Sequence, residues 1–589
     1  MLHARRLILL AAVLGLLGLG AGGCSLKDKI MRHLGAQDRM ALSSDPANGR
    51  WDSQFLTVKR LWPTTKVKAQ VFKGNFWASP VLAELPGQPP VLVVLPSSGS
   101  VAGLAPESGK LLWELEPPHS ATETPELRAA PLLFGDNLMV VYTTRDRKSG
   151  AVSHRAFVVD LRRGKANPQF QPIIFAANAP AAGGGSFPFD PQWQLPRAVT
   201  HGLGPGLGKA YVTFGADRDQ GSWHGWLFEV DLDAWSRGAL KQAISAAFST
   251  TSEAECDDGT NGELCGGGLW AYGGPQVYGG PDGDEIMIQT GNGRLDLARR
   301  SYSQSLLRLR PGLKFNPGCD ALRCRADNQR DPSSGCLSTC RDLFVPRLSP
   351  SEAPLRPADH SCDGLSYMAC LELKDWDLGS VSPVRVEVGG KAYYVTAGKA
   401  GDVFLIDGDR LGILHDRKMT LDLCGAEGKP CPEPNAGLVI TQPLIVTVDG
   451  APLVVLANFN PDDIHSSGVT AYRIIQTTAG PKLQLAWRAP NPASPQARLW
   501  FRAPPTRPIL QMIGSEPVIW IADNARDGHL IAIRARDGQI MADVTAGGWP
   551  MRNGKPVIYK NVLYLPAGVQ GHDAFTWLEA YEITPRPGA

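Results

Sequence analysis

The residues with the most obvious covalent chemistry are the eleven cysteines. Cys24 stands alone near the start of the chain. The other ten fall into close sequential neighbours: Cys256 and Cys265, Cys319 and Cys324, Cys336 and Cys340, Cys362 and Cys370, Cys424 and Cys431. An even set in an exported chain implies disulfides, and pairing of neighbours is the simplest assignment. The rival is a metal site built from Cys319, Cys324, Cys336 and Cys340. Its spacings are looser than CxxC knuckles, and an oxidising compartment disfavours free thiolates. No CxxCH occurs, so covalent haem is not indicated. The serines lack a GxSxG elbow. His224, His465 and His572 are scattered and read as loop residues rather than ligands.

What must hold these residues is a turn-rich β-fold. The chain has 589 residues, with 64 Gly and 48 Pro, a load that opposes helix interiors and excludes long bundles. A hydrophobic fraction of 43% with 15 Trp excludes disorder. With 59 basic and 57 acidic residues the net charge is +2, which argues against a nucleic-acid partner.

Residues 1–23 read as an export signal. Arg5 and Arg6 precede an apolar run from Leu7 to Leu19, and Gly20–Gly23 are small. Small residues directly before Cys24 resemble the lipobox of bacterial lipoproteins. That resemblance implies cleavage before Cys24 and a lipid on its sulfur. Ser25 follows where an Asp would retain the protein at the inner membrane, so the expected location is the outer membrane. Residues 24–50 are polar and read as a tether.

A short alternating segment recurs eight times: Val101–Ala105, Ala156–Asp160, Leu227–Asp231, Leu306–Arg310, Val403–Asp407, Val469–Arg473, Leu530–Arg534 and Leu578–Glu582. A second strand type precedes most copies, starting at Pro90, Asn137, Glu285, Ala392 and Pro517. A third lies upstream at an X-Pro step, as at Ala78–Val81, Ala130, Ser382 and Gln442. Several short strands recurring in one order predict an all-β, eight-bladed β-propeller over residues 51–589. The alternative is a pair of β-sandwiches. The longest interval holds a segment from about 315 to 375 that is rich in Cys, Pro, Asp and Arg. It cannot build its own core, so it is expected to be a disulfide-stapled insertion above one propeller face.

Val101–Trp113 (VAGLAPESGKLLW) resembles the quinoprotein repeat, and the order of motifs between about 265 and 410 is similar to that of PQQ-dependent alcohol dehydrogenases. The resemblance implies the following roles. Trp270, ending a Gly-Gly-Gly-Leu-Trp run, forms the floor beneath the quinone. Asn292, in Thr290–Asn292, binds calcium. Asp377, after Trp376, is the catalytic base. Lys399, in Ala397–Gly401, lies against the quinone carbonyls. Asp219 stands beside Gln220, where the family offers a calcium-binding Glu. The cofactors implied are PQQ and Ca²⁺. The chain departs from the family in having no adjacent cysteine pair and no Glu at that calcium position.

Three functional classes follow. One is a lipid-anchored quinoprotein oxidoreductase. Another is a non-catalytic scaffold with protein partners at the outer membrane, similar in class to the propeller lipoprotein of the β-barrel assembly machinery. The third is a quinone-free hydrolase that uses Asp377.

Overall fold

The structure is a computed structural model. It describes residues 55–586 except 182–184, 217–220, 253–265, 281–282, 294, 325–334, 347–363, 366, 420–438, 460–466, 491–500, 502, 526–527, 552–553 and 570–573. Cys24, the signal and the tether therefore lie outside the described residues, as do Asp219, Cys256, Cys265, Cys362, Cys424 and Cys431.

Eight antiparallel sheets follow one another as the blades of a propeller. Blade 1 is Val81–Ala83, Val91–Val94, Val101–Leu104 and Leu111–Leu115. Blade 4 is Gln276–Gly280, Gly283–Gln289, Leu306–Leu309 and Leu343–Phe344. Blade 5 is Val384–Val388, Lys391–Ala397, Asp402–Asp407 and Leu414–Met419. Each of the eight recurring segments supplies the third strand of one blade. The second strand type supplies second strands, and the X-Pro steps open inner strands. Blade 8 is completed from the other end of the chain. Its outermost strand is Leu56–Trp62, which pairs antiparallel with Phe575–Pro585, Leu56 opposite Pro585.

The reason for this architecture is in the alternation. Successive side chains of a strand point to opposite faces of its sheet. Both faces are apolar, so each blade must bury one face on the blade before and one on the blade after. Eight separate clusters of buried residues result, one at each blade interface. Tryptophans rivet three of these interfaces. The Trp487 indole, in blade 6, donates to Ala535 O at 2.8 Å and packs on Gly538 of blade 7. Trp62 packs likewise on Gly109, and Trp113 on Gly164, where φ is +61° and a Cβ would strike the indole.

The insertion differs from the expectation in two ways. It is not one excursion. Leu343–Phe344 lies inside it and pairs with Leu306–Leu307 as the outer strand of blade 4. Residues 310–342 therefore connect third to fourth strand, and residues 345–383 lead from the fourth strand to the next blade. In an antiparallel sheet those two connections leave from opposite ends.

The disulfides are also paired differently. Cys319 joins Cys340, and Cys324 joins Cys336. The physical reason is that residues 317–324 and 336–342 run antiparallel. Arg341 N donates to Gly318 O, Asp342 N to Pro317 O, and Asp320 N to Thr339 Oγ1. That register sets 319 opposite 340 and 324 opposite 336, so nearest neighbours in sequence cannot bond. Oxidation also removes these four sulfurs from the rival metal arrangement. Cys370 is disulfide-bonded as well.

Candidate functional site

All four described residues that the motif order singled out meet at one place. Each reaches it from a different loop at the same end of the propeller, where inner strands begin and second strands turn into third strands. Trp270 lies between blades 3 and 4, and Asn292 between the second and third strands of blade 4. Asp377 lies between blades 4 and 5, and Lys399 between the second and third strands of blade 5.

Backbone pairing sets the first contact. Gly267 N donates to Asn292 O at 2.6 Å, and Gly291 N to Gly268 O at 3.0 Å, so the two loops lie side by side. Gly291 must be glycine, because a Cβ there would sit 2.9 Å from Asp377 Oδ2 and 3.2 Å from the Trp270 ring nitrogen. Asp377 is pinned in turn. Its carbonyl accepts from Lys399 N at 3.0 Å, and Leu378 N donates to Gln304 Oε1 at 3.0 Å. The Gln289 side-chain amide donates to Leu378 O and, at 2.9 Å, to Ala397 O. The helix Tyr367–Leu373 precedes Asp377 and packs through Leu371 on Ala400. Its end is stopped by Asp375, a left-handed residue at φ 53°.

Trp270 Nε1 donates to Asp377 Oδ2 at 2.8 Å. The Lys399 ammonium is 3.5 Å from Asp377 Oδ1 and 2.8 Å from Asp375 Oδ2, and lies 4.9 Å from the Trp270 ring centroid. Asn292 Nδ2 donates to Asp375 Oδ1 at 2.9 Å. Asp375 thus ties Asn292 to Lys399, a role that the motif order did not signal. A second carboxylate two residues before Asp377 was the available cue.

Asp377 is 4% exposed, and burial lifts its pKa from 3.8 to about 6, with Lys399 opposing and Asp375 reinforcing that shift. Burial would lower Lys399, but the Asp377 and Asp375 carboxylates outweigh it and hold the ammonium above its ordinary value. The result is a carboxylate that ionises close to neutrality beside a cation that remains charged. This combination suits general-base work. Among the described residues, buried Asn292 Oδ1 makes no hydrogen bond, and Asp377 Oδ1 has the longer ion pair with Lys399. His224 plays no part here: its ring nitrogen meets Thr251, and burial lowers its pKa to about 4.

The chain is similar in structure to three solved propellers. One is the quinohemoprotein alcohol dehydrogenase ADHIIG of Pseudomonas putida HK5, with a TM-score of 0.50 and 13% identity, over 90% of this chain and 76% of that one. The corresponding enzyme of Comamonas testosteroni aligns at 0.46 and 12%, over 89% and 76%. BamB of Moraxella catarrhalis aligns at 0.42 and 12%, over 89% and 100%. The fold is that of the quinoprotein-like β-propellers. No known family model matches the sequence, and no curated protein does.

The site fits the two implied cofactors unequally. A planar anion meets an indole, a charged lysine and a tight glycine-lined turn, provided that the flexible Lys399 stem leaves the ring face. A calcium ion takes six to eight oxygens, several of them anionic. Among the described residues the cluster offers the side-chain oxygens of Asn292, Asp375 and Asp377, with the Lys399 ammonium paired to both carboxylates. Asp219, the other ligand that the resemblance implies, lies outside the described residues, and no step below runs through a metal.

Proposed function

We propose that the chain is an exported, lipid-anchored oxidoreductase of the quinoprotein type, held at the outer membrane through Cys24. The observation that carries this reading is the meeting of Trp270, Asn292, Asp377 and Lys399 from four loops, with Trp270 and Lys399 on the buried, near-neutral Asp377 carboxylate and Asn292 joined to Lys399 through Asp375. Bound PQQ supplies a two-electron acceptor. The chain's own residues do the rest. Trp270 gives the aromatic surface. Lys399 supplies positive charge to an anionic ring system. Asp377 Oδ1, paired with the Lys399 ammonium at 3.5 Å, takes the proton of a substrate hydroxyl, while Trp270 Nε1 and the Lys399 backbone keep that carboxylate in place.

The test is retention of PQQ by the purified protein at micromolar concentration, followed by dye-linked oxidation of alcohols or sugars. PQQ is expected to bind with or without Ca²⁺, and the rate to rise with pH through about 6 as Asp377 ionises. Asp377→Asn should keep the quinone and lose roughly 10²–10⁴-fold in rate. Failure to retain quinone overturns the proposal.

The pairing of Lys399 with Asp377 and Asp375, which already satisfies the cluster's charges, favours one second reading, a propeller scaffold that acts through protein partners at the outer membrane. There, Asp377→Asn and Lys399→Gln would leave the phenotype intact.

A further inference from the structure

A separate feature lies on the propeller axis, where the inner strands of blades 5 to 8 begin. A cavity of about 530 Å³ opens there. Its rim carries two cations at equivalent positions of neighbouring blades, Arg507 before Pro508 and Lys555 before Pro556. Among the described residues no carboxylate lines the cavity.

The Arg507 guanidinium donates to Gln442 Oε1 and, at 3.4 Å, to Tyr272 O. Neither acceptor carries charge. Arg197 reinforces the positive field from blade 3, donating to the Tyr272 hydroxyl at 3.1 Å. Gln442 apart, the other lining side chains are apolar. Leu510 faces it while 37% exposed, an unusual state for a leucine on an inner strand, and Ile445 and Ile558 extend the lining.

Burial brings the Arg507 pKa down to about 10. It lowers Lys555 too, and the Arg507 charge adds to that effect. Arg507 is half-buried and Lys555 stands exposed at the rim, so the cost of holding charge without a counter-charge falls mainly on Arg507, and an anion offsets it. The volume is in the range of small-molecule sites, roughly 300–1,000 Å³. A phosphate ion would satisfy the cations but leave the apolar wall in water.

We propose that this axial cavity binds an organic carboxylate with an apolar body, its carboxylate against Arg507 and Lys555 and its body along Leu510, Ile445 and Ile558. The site is independent of the quinone reading, since none of its residues belongs to the Trp270 cluster.

Calorimetric titration of the full chain with octanoate, octanol and inorganic phosphate tests it. One molecule of octanoate per chain should bind saturably, with octanol and phosphate each at least tenfold weaker. Lys555→Gln should weaken octanoate at least tenfold, and Arg507→Gln at least as much, while Asp377→Asn leaves it unchanged. Arg507 also anchors Gln442 and Tyr272, so its variant is checked for folding by thermal melting. Lys555→Gln decides the matter if that variant is unstable. No octanoate binding, or an unchanged affinity in Lys555→Gln, overturns the proposal. Phosphate binding as tight as octanoate overturns the organic class.

Discussion

The interface between blades 6 and 7 and that between blades 4 and 5 solve the same packing problem in opposite ways. The first buries fifteen apolar residues, including Ile519, Ile521, Ile531 and Ile533, and is riveted by Trp487. The second buries eight. On the blade 4 strand facing it, Leu306 is followed two positions later by Arg308, where the alternation calls for another apolar side chain. That cation is 4% exposed. Asp342 accepts from its Nε at 2.6 Å, and Gly408 O, Asp409 O and Arg341 O take its other donors. A polar bolt thus replaces oil at the interface over which Asp377 and Lys399 sit. Regular repeats hold the ring together, and the interface where the repeat is broken is the one whose loops supply Asp377 and Lys399.

The largest expected effect comes from pulling that bolt. Asp342→Ala leaves Arg308 buried without its carboxylate and should cost about 3–5 kcal/mol in urea unfolding, together with lost order at the Asp377 loop. Arg308→Met with Asp342→Leu should recover most of it, because an apolar pair restores the alternation. If the single variant is neutral, blades 4 and 5 do not depend on the bolt.

On the regular side, Trp487→Ala should also cost about 3–5 kcal/mol, through lost area and the cavity left behind. Ligand binding at the Trp270 cluster should not change. A shift in that binding would mean that the two regions are not separable.

A smaller effect belongs to Asp377. Its folded pKa, about 6, lies above the 3.8 of the free group, so the fold prefers the neutral form. The associated stabilisation is fully present below about pH 4 and is lost as pH rises through 6. The shift corresponds to about 3 kcal/mol. The stability difference between the wild type and Asp377→Asn, measured by urea unfolding from pH 4 to 7, should track that decline. A flat difference would place Asp377 in a far wetter setting.

The same contrast explains what could be read in advance. Third strands such as Val403–Asp407 and Leu530–Arg534 carry the alternation openly, so blade number and strand order were legible residue by residue. Trp270, Asn292, Asp377 and Lys399 were legible only as an ordered set, because each motif is short and only their meeting gives it meaning. Asp375 went unseen because a helix end and a left-handed turn, features of tertiary context, aim it at Lys399. Leu343–Phe344 is two residues long, below the reach of any periodicity, so the outer strand of blade 4 was absorbed into the insertion. The sequential assignment failed at Cys319, Cys324, Cys336 and Cys340 for a related reason. Cysteine spacing carries no register, and an antiparallel pairing of two turns supplied one.

Arg507 and Lys555 were invisible for another reason. Nothing near them in sequence announces an axis, and only closure of the ring turns two X-Pro steps from separate blades into the rim of one cavity.

The pairing of Leu56–Trp62 with Phe575–Pro585 has a consequence for biogenesis. Leu56–Trp62 is made long before its partner. Until Phe575–Pro585 follows it, both ends of the ring present unpaired strand edges, which readily recruit other chains. A nascent chain of this design therefore needs shelter until that strand is made, and loss of either strand would leave an open circle and not merely a shorter protein.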